Sequence, residues 1–349
     1  MKKLYVFIMI SIVFMFINTS SSLINTIIYS IAVIPVAILL GELTSKISEY
    51  IGEKRGGLLA ATIGNFPELM MGMWSVSFGM LPMVKSALIG SIVSNMLLVL
   101  GISIFIGGIK YKEQTFNKII ARTNFNMFLL AMSAMVIMAS LNGYSKIQLN
   151  TLISISIKVS AVLIAVYVLG LIFSLYTHSN LFVISEKKEE YLKKTDAKYK
   201  NILILEIIVS SALLFFISEK LISNIKHMVD YYNLSQEFIG IILIPILGNI
   251  GENVSAIMCA AQNRVNMSVE IAIGSSIQIA LFVTPLLVIF SYFMGMKMTF
   301  VFSNFQILMS GIAVGMSFFV FQDGKTYWLE GAILIAIYAM ITMAYYYLV

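Results

Sequence analysis

Residues Ile63–Gly72 read IGNFPELMMG, and Leu247–Ala256 read LGNIGENVSA. Both carry the pattern G-N-x-x-E inside long apolar runs, and a constant offset of 184 residues superimposes them without a gap. That offset pairs Gly64 with Gly248, Asn65 with Asn249 and Glu68 with Glu252. Further along, it pairs Gly90 with Gly274 and Ser91 with Ser275. Matched Leu and Val residues say little in apolar helices, which share letters by chance. Matched acids are different, because an ionisable group within a bilayer is costly and is functional by default. The chain therefore reads as an internal duplication built around two buried glutamates.

Composition agrees with a bilayer as solvent. Of 349 residues, 59% are hydrophobic and 11% charged, whereas a soluble domain carries about a quarter charged residues. About 20 apolar residues at 1.5 Å per residue span the hydrocarbon core. Apolar runs with polar breaks give eleven helices, near 4–18, 23–43, 56–79, 82–106, 119–141, 147–176, 201–224, 235–262, 266–293, 299–320 and 327–348. The fold class is all-α, a polytopic membrane protein with about 11 transmembrane helices.

The two motifs fall in the third and eighth helices, five spans apart. An odd number of spans turns the second half over, so the sequence predicts two inverted five-helix repeats plus an extra N-terminal helix. The corresponding divisions are residues 1–20 (the first helix), 21–177 (first repeat), 178–200 (a charged cytoplasmic connector) and 201–349 (second repeat). Residues 1–18 resemble a signal peptide, yet spanning helices follow directly, so they read as a retained first helix. With a cytoplasmic N-terminus, seventeen of the 23 basic residues fall on the inner side. This matches the positive-inside bias and accounts for the formal charge of +6 without nucleic acid.

Several chemistries are excluded or weak. The single Cys259 rules out an internal disulfide or thiolate metal site, and the two histidines, His178 and His227, are read as loop residues. No HExxH stretch and no Ser–His or Cys–His pair at membrane depth is present, so the chain reads as a transporter, not an enzyme, with no cofactor. Glu206, Glu219 and Glu270 are expected near helix ends. Lys158 is expected to snorkel, and Trp74 and Trp328 to lie in the interfacial belt.

Asn65 and Glu68 are i and i+3 on one helix face, as are Asn249 and Glu252. Gly64 and Pro67 should weaken the first helix, and freed carbonyls at membrane depth are tolerated where they line a cavity. Glu68, Glu252, Asn65, Asn249, Gly64 and Gly248 thus form a candidate oxygen-rich cation site. Such a site suits Ca2+, which takes about 6–8 oxygens at roughly 2.3–2.6 Å. Ser91, Ser94, Asn95, Ser275 and Gln278 form a second polar stripe that could orient the glutamates. Inverted repeats with a midplane site are a transporter architecture. A cation channel lined by the same residues is the alternative from another class.

At GNFPE, VKSALIGSIVSNMLLVLG, PILGNIGEN and GSSIQIALFVTPLLV, the chain resembles the calcium/proton exchanger (CAX) family within the cation/calcium antiporter superfamily. That resemblance implies Ca2+/H+ antiport in an integral, plasma (cytoplasmic) membrane protein, with Ca2+ and H+ as partners and a homo-oligomer compatible. It implies that Glu68 and Glu252 hold the transported ion beside Asn65 and Asn249, and that the second and seventh helices gate access. Three positions depart from the family: Asn253 stands where members often carry His, and Ser45 where they carry Glu. Pro67 replaces a small or apolar residue and is similar to the proline-glutamate pair of sodium/calcium exchangers, which keeps sodium coupling as the nearest alternative.

Overall fold

The computed structural model describes residues 2–51, 63–144, 147–178 and 197–348. In chain order the helices are α1 (Lys2–Phe16), α2 (Ser22–Ile51), α3 (Phe66–Ser77), α4 (Leu81–Tyr111), α5 (Lys118–Tyr144) and α6 (Leu149–Thr177). They continue with α7 (Ala197–Tyr232), α8 (Gln236–Gly248), α9 (Ile250–Ala261), α10 (Val265–Phe293), α11 (Asn304–Val320) and α12 (Trp328–Leu348). Among the described residues, seven helices are long and apolar enough to cross a membrane, and eight if α8 and α9 count as one bent span. The chain is therefore a nearly all-helical polytopic membrane protein.

Each predicted apolar segment contains a helix, but the boundaries and continuity differ. The helix expected over 235–262 is broken into α8 and α9 with a bend of 62°. The first-repeat break falls at Gly64–Asn65, just before α3, while residues 52–62 lie outside the described chain. Pro67 sits in the first turn of α3, where no helical partner for its missing N–H is required. It fits the restart after the break and does not interrupt a continuous helix. The helix expected from residue 299 begins at Asn304, because Ser303 caps it in a reciprocal box with Gln306. Most of the predicted 178–200 connector lies outside the described residues, and its last four residues already belong to α7.

The length of α7 corrects three readings. His227 is helical rather than a loop residue, and Glu206 and Glu219 lie well inside the helix rather than near its ends. Lys158 lies on the exposed face of α6.

Two packed regions hold the fold. In one, Tyr29, Val33, Val36 and Leu40 of α2 pack with Leu214, Ile217, Leu221 and Ile225 of α7, joined by Met83 and Leu247. The two long helices α2 and α7 lie along each other, with α1 against them. In the larger region, α4 and α10 are central, most of their residues buried, and α5, α6, α11 and α12 surround them. The pairing is reciprocal: α6 packs on α10, and α12 packs on α4.

Each central helix carries a π-helical turn, Ser94–Val99 in α4 and Ile279–Val283 in α10. The offset of 184 that aligns the glutamates also brings these two turns into register. Single π turns inside α-helices recur at functional sites.

A short antiparallel ladder pairs β1 (Gln114–Thr115) with β2 (Lys325–Thr326). Sequence periodicity gave no sign of it, since two residues are too few to show alternation. Gln114 also donates to Ala260 O and Asn263 Oδ1, both at 3.0 Å. The ladder and Gln114 thus tie the α4–α5, α9–α10 and α11–α12 connections together.

Candidate functional site

The site begins with two helix breaks of matching conformation. Asn65 lies at φ −94°, ψ 19° and Asn249 at φ −94°, ψ 7°, each the residue before a new helix. This is the sparsely populated bridge region between helix and strand. Asn is a favoured N-cap and Glu a favoured third helical residue, so Asn-x-x-Glu has the spacing of a capping box. No cap is made: neither Asn side chain bonds to its own helix start. Each amide makes at least one bond to the other half of the molecule.

Nδ2 of Asn65 donates to Gln278 Oε1 at 2.5 Å, and its Oδ1 accepts from Ser275 Oγ at 3.0 Å. Nδ2 of Asn249 donates to Ser91 Oγ at 3.2 Å and to Pro245 O at 3.2 Å. Asn249 Oδ1 accepts from Ser275 Oγ at 3.3 Å. Asn95 Nδ2 donates to Ser275 Oγ at 3.1 Å, which closes the network. The offset converts the pair Asn65–Ser275 into Asn249–Ser91, but the donor is reversed: Ser275 donates to the Asn65 oxygen, whereas Ser91 accepts from the Asn249 nitrogen. Except for the partly exposed Gln278, all these residues are buried.

Glu68 and Glu252 occupy the first turns of α3 and α9. There the uncapped N–H groups and the helix dipole favour negative charge. Glu68 is 4% exposed, and the two carboxyl groups are within electrostatic reach of each other. The Asn249 amide is the polar side chain beside Glu68, and the Ser275 hydroxyl is the one beside Glu252. Both Glu68 oxygens and Oε2 of Glu252 are buried without a hydrogen-bond partner among the described residues. Glu252 as a residue is partly exposed and Glu68 is not.

Gly248 lets Glu68 reach the opposite break. A Cβ at Gly248 would stand 2.6 Å from Glu68 Cδ and 2.7 Å from its Oε1. The Glu68 carboxyl therefore lies against the backbone of the α8–α9 break, not merely near it.

The site residues expected from sequence are brought together with two exceptions. Ser94 is buried, but its Oγ has no hydrogen-bond partner among the described residues, and its polar neighbour is Tyr338 of α12. Gly64 is partly exposed in the turn before α3, and no hydrogen bond ties it to the network. Sequence reasoning missed Tyr167 of α6, whose phenol is in electrostatic reach of Glu252. Its buried face recurs as Ser156, Ser160, Leu163 and Tyr167, a helical spacing that signals burial but not what it faces.

No group of three or more His, Cys, Asp or Glu residues exists among the described residues. Two carboxyl groups with amide and hydroxyl oxygens nearby are the oxygen chemistry that hard cations take.

Fold and site together define a polytopic helical membrane protein with one buried, two-carboxylate, oxygen-lined centre. The chain belongs to the sodium/calcium exchanger protein family, whose pattern matches residues 4–176 and 202–347. It is 35% identical over 333 residues to the Ca2+/H+ antiporter of Aphanothece halophytica, with 91% of this chain and 88% of that one covered. It is 33% identical over 324 residues to the Ca2+/H+ antiporter ChaA of Bacillus subtilis, covering 92% and 91%. The solved structure of native YfkE superimposes with a TM-score of 0.79 at 31% identity, covering 93% of this chain and 92% of that one.

Proposed function

We propose that this protein is a secondary antiporter that exchanges Ca2+ for H+, with Glu68 and Glu252 holding either the cation or protons. The observation that carries this reading is the pair of buried carboxyl groups, drawn from two matched helix breaks, with three of their four oxygens lacking a hydrogen-bond partner among the described residues. End-to-end relatives named Ca2+/H+ antiporters support the choice of ions. Asn65 and Asn249 contribute side-chain oxygens, and Gly248 a backbone carbonyl; Gly64, outside the network, is not part of the proposed ligand set. Ser91, Ser275, Asn95 and Gln278 orient the amides.

The physics of coupling follows from the charge. Two bare carboxylates in a low-dielectric centre are too costly to seal from water. A bound Ca2+ neutralises both, and so do two protons. Only the neutralised forms close over and reopen on the other side, so each Ca2+ moved one way is matched by protons moved the other. Two carboxyl groups allow two protons per Ca2+. The proton gradient of a cell then drives calcium outward.

The eleven-span, inverted-repeat arrangement belongs to this proposal. Two family blocks, 4–176 and 202–347, flank the connector and support the duplication. With a cytoplasmic N-terminus, α1, α7, α10 and α12 all end on the outer face. Exposed Phe16, Tyr231, Tyr292, Phe293, Tyr346 and Tyr347 at those ends then form one interfacial aromatic belt. The plasma membrane is the proposed location. A homo-oligomer is compatible with this arrangement and is not required by it.

The test is calcium uptake into vesicles holding the purified protein, under a proton gradient, then a sodium gradient, then neither. Uptake driven by protons alone supports the proposal. Uptake driven by sodium makes the protein a sodium/calcium exchanger, and gradient-independent flux makes it a channel.

A further inference from the structure

Each repeat ends in a helix that crosses to the other repeat's π turn, and each brings a tyrosine. Tyr167 of α6 stacks on Phe282 within the α10 π turn, with centroids 5.4 Å apart and planes at 29°. Tyr338 of α12 lies by Ser94, the first residue of the α4 π turn. The two environments are not equivalent. Tyr338 has the hydroxyls of Thr342 and Ser94 beside it, whereas Tyr167 is 6% exposed and lies in electrostatic reach of Glu252.

The Tyr167 hydroxyl is buried and has no hydrogen-bond partner among the described residues. A buried O–H that makes no hydrogen bond is costly, so a phenol kept at such a place calls for a partner in some state of the molecule. Glu252 Oε2 is likewise buried and unpartnered. The ring is held by Phe282 on the helix that also carries Ser275, the hydroxyl beside Glu252. Donor and acceptor are thus carried by two helices, α6 and α9, that both pack on α10.

We propose that Tyr167 is a positioning residue for the transport site: its hydroxyl donates to the Glu252 carboxylate and holds it in the orientation that receives Ca2+. A carboxylate that spends one lone pair on a fixed donor keeps the other oxygen directed into the site, as partners of metal ligands commonly do. Glu68 has Gly248 and the α8–α9 backbone to fix it. Glu252 has the phenol. This inference rests on the two-carboxylate reading above.

The test uses Tyr167→Phe, which keeps the ring and its stacking on Phe282 and removes only the oxygen. Purified wild type, Tyr167→Phe, Tyr338→Phe and Glu252→Gln are compared in vesicles for half-saturating Ca2+ and maximal exchange, and in detergent for melting temperature without Ca2+. Tyr167→Phe is expected to raise half-saturating Ca2+ about 10-fold or more, with maximal exchange within about 2-fold and an unchanged melting temperature. Tyr338→Phe is expected to match wild type. Wild-type Ca2+ affinity in Tyr167→Phe, or a loss matched by a fall in melting temperature, overturns the assignment. If that occurs while Glu252→Gln is inactive, only the role of Tyr167 fails. Exchange by Glu252→Gln at the wild-type rate defeats the two-carboxylate reading itself.

Discussion

Ser275 donates to Asn65 at 3.0 Å across 210 residues of sequence, and it is the hinge of the polar network. The same hydroxyl donates toward Asn249 Oδ1 at 3.3 Å and accepts from Asn95 at 3.1 Å. One hydroxyl has one proton, so the two acceptors share it and the network holds both Asn side chains at once. Its repeat-related counterpart, Ser91, accepts a single bond from Asn249. Ser275→Ala should therefore weaken Ca2+ affinity about 10–100-fold, the range for partners that orient metal ligands, and Ser91→Ala should weaken it less. Half-saturating Ca2+ for exchange in vesicles checks the order; equal effects would mean that Ser275 has no special place.

Glu68→Gln and Glu252→Gln should each abolish exchange. Glutamine cannot take up or release the proton, and it removes half the negative charge available to the cation. Neither side chain has a spare acid nearby, since no third His, Cys, Asp or Glu joins them among the described residues. Proton-driven calcium uptake near the wild-type rate by either variant rejects the shared site.

The paired acids were legible in sequence because a charge at membrane depth is rare enough to be informative. The duplication multiplied that signal, and Asn65, Asn249, Ser91 and Ser275 followed from it by register alone. What stayed hidden depends on which face a helix presents. Ser94 shares the stripe of Ser91 and Asn95, yet the π turn that starts at Ser94 leaves it outside the hydrogen-bonded network. Tyr167 lies about a hundred residues from Glu68, in a helix whose only pattern is apolar burial. The bend between α8 and α9 was hidden for another reason: Gly248 and Asn249 permit a break, but only the packing of Glu68 against Gly248 shows why one is needed.

Gly248→Ala should lower exchange at least about 10-fold while leaving the fold intact. The added Cβ would meet the end of the Glu68 side chain, with Cδ at 2.6 Å. A flexible carboxyl can move aside, so the consequence falls on the site more than on stability. Calcium affinity and melting temperature measured together test this; a drop in melting temperature alone would place the clash elsewhere.

Gly90 and Gly274 match under the offset, yet they should respond oppositely to Ala. A Cβ on Gly90 would meet Ile241 Cα and Pro245 Cγ at 2.8 Å, where α4 packs on α8. At Gly274 nothing lies within 4 Å. Overpacking against backbone costs about 1–3 kcal/mol, whereas Gly→Ala in an open helical position is neutral or stabilising by up to about 1 kcal/mol. Melting temperature should fall for Gly90→Ala and hold or rise for Gly274→Ala. Equal responses would deny the asymmetry of the two repeats at this contact.

The Glu113–Lys325 pair, 2.7 Å apart beside the β1–β2 ladder, offers a check on where proton sensitivity resides. The hydrogen bond from Lys325, then that from Tyr327, holds the Glu113 carboxyl below its usual 4.5. Its contribution is thus present above that value and is lost only as pH falls through the lowered one. The Glu113 carboxylate in turn holds Lys325 above its usual 10.5, so that contribution is complete below 10.5 and is lost only at higher pH. Between about pH 6 and 9 the pair does not titrate, and its exposure to water keeps its energetic weight small. Lys325→Met should therefore leave the shape of the exchange-versus-pH curve unchanged over that range, whatever it does to the maximal rate. A displaced curve would put part of the proton coupling in this loop clamp and take it away from the two glutamates.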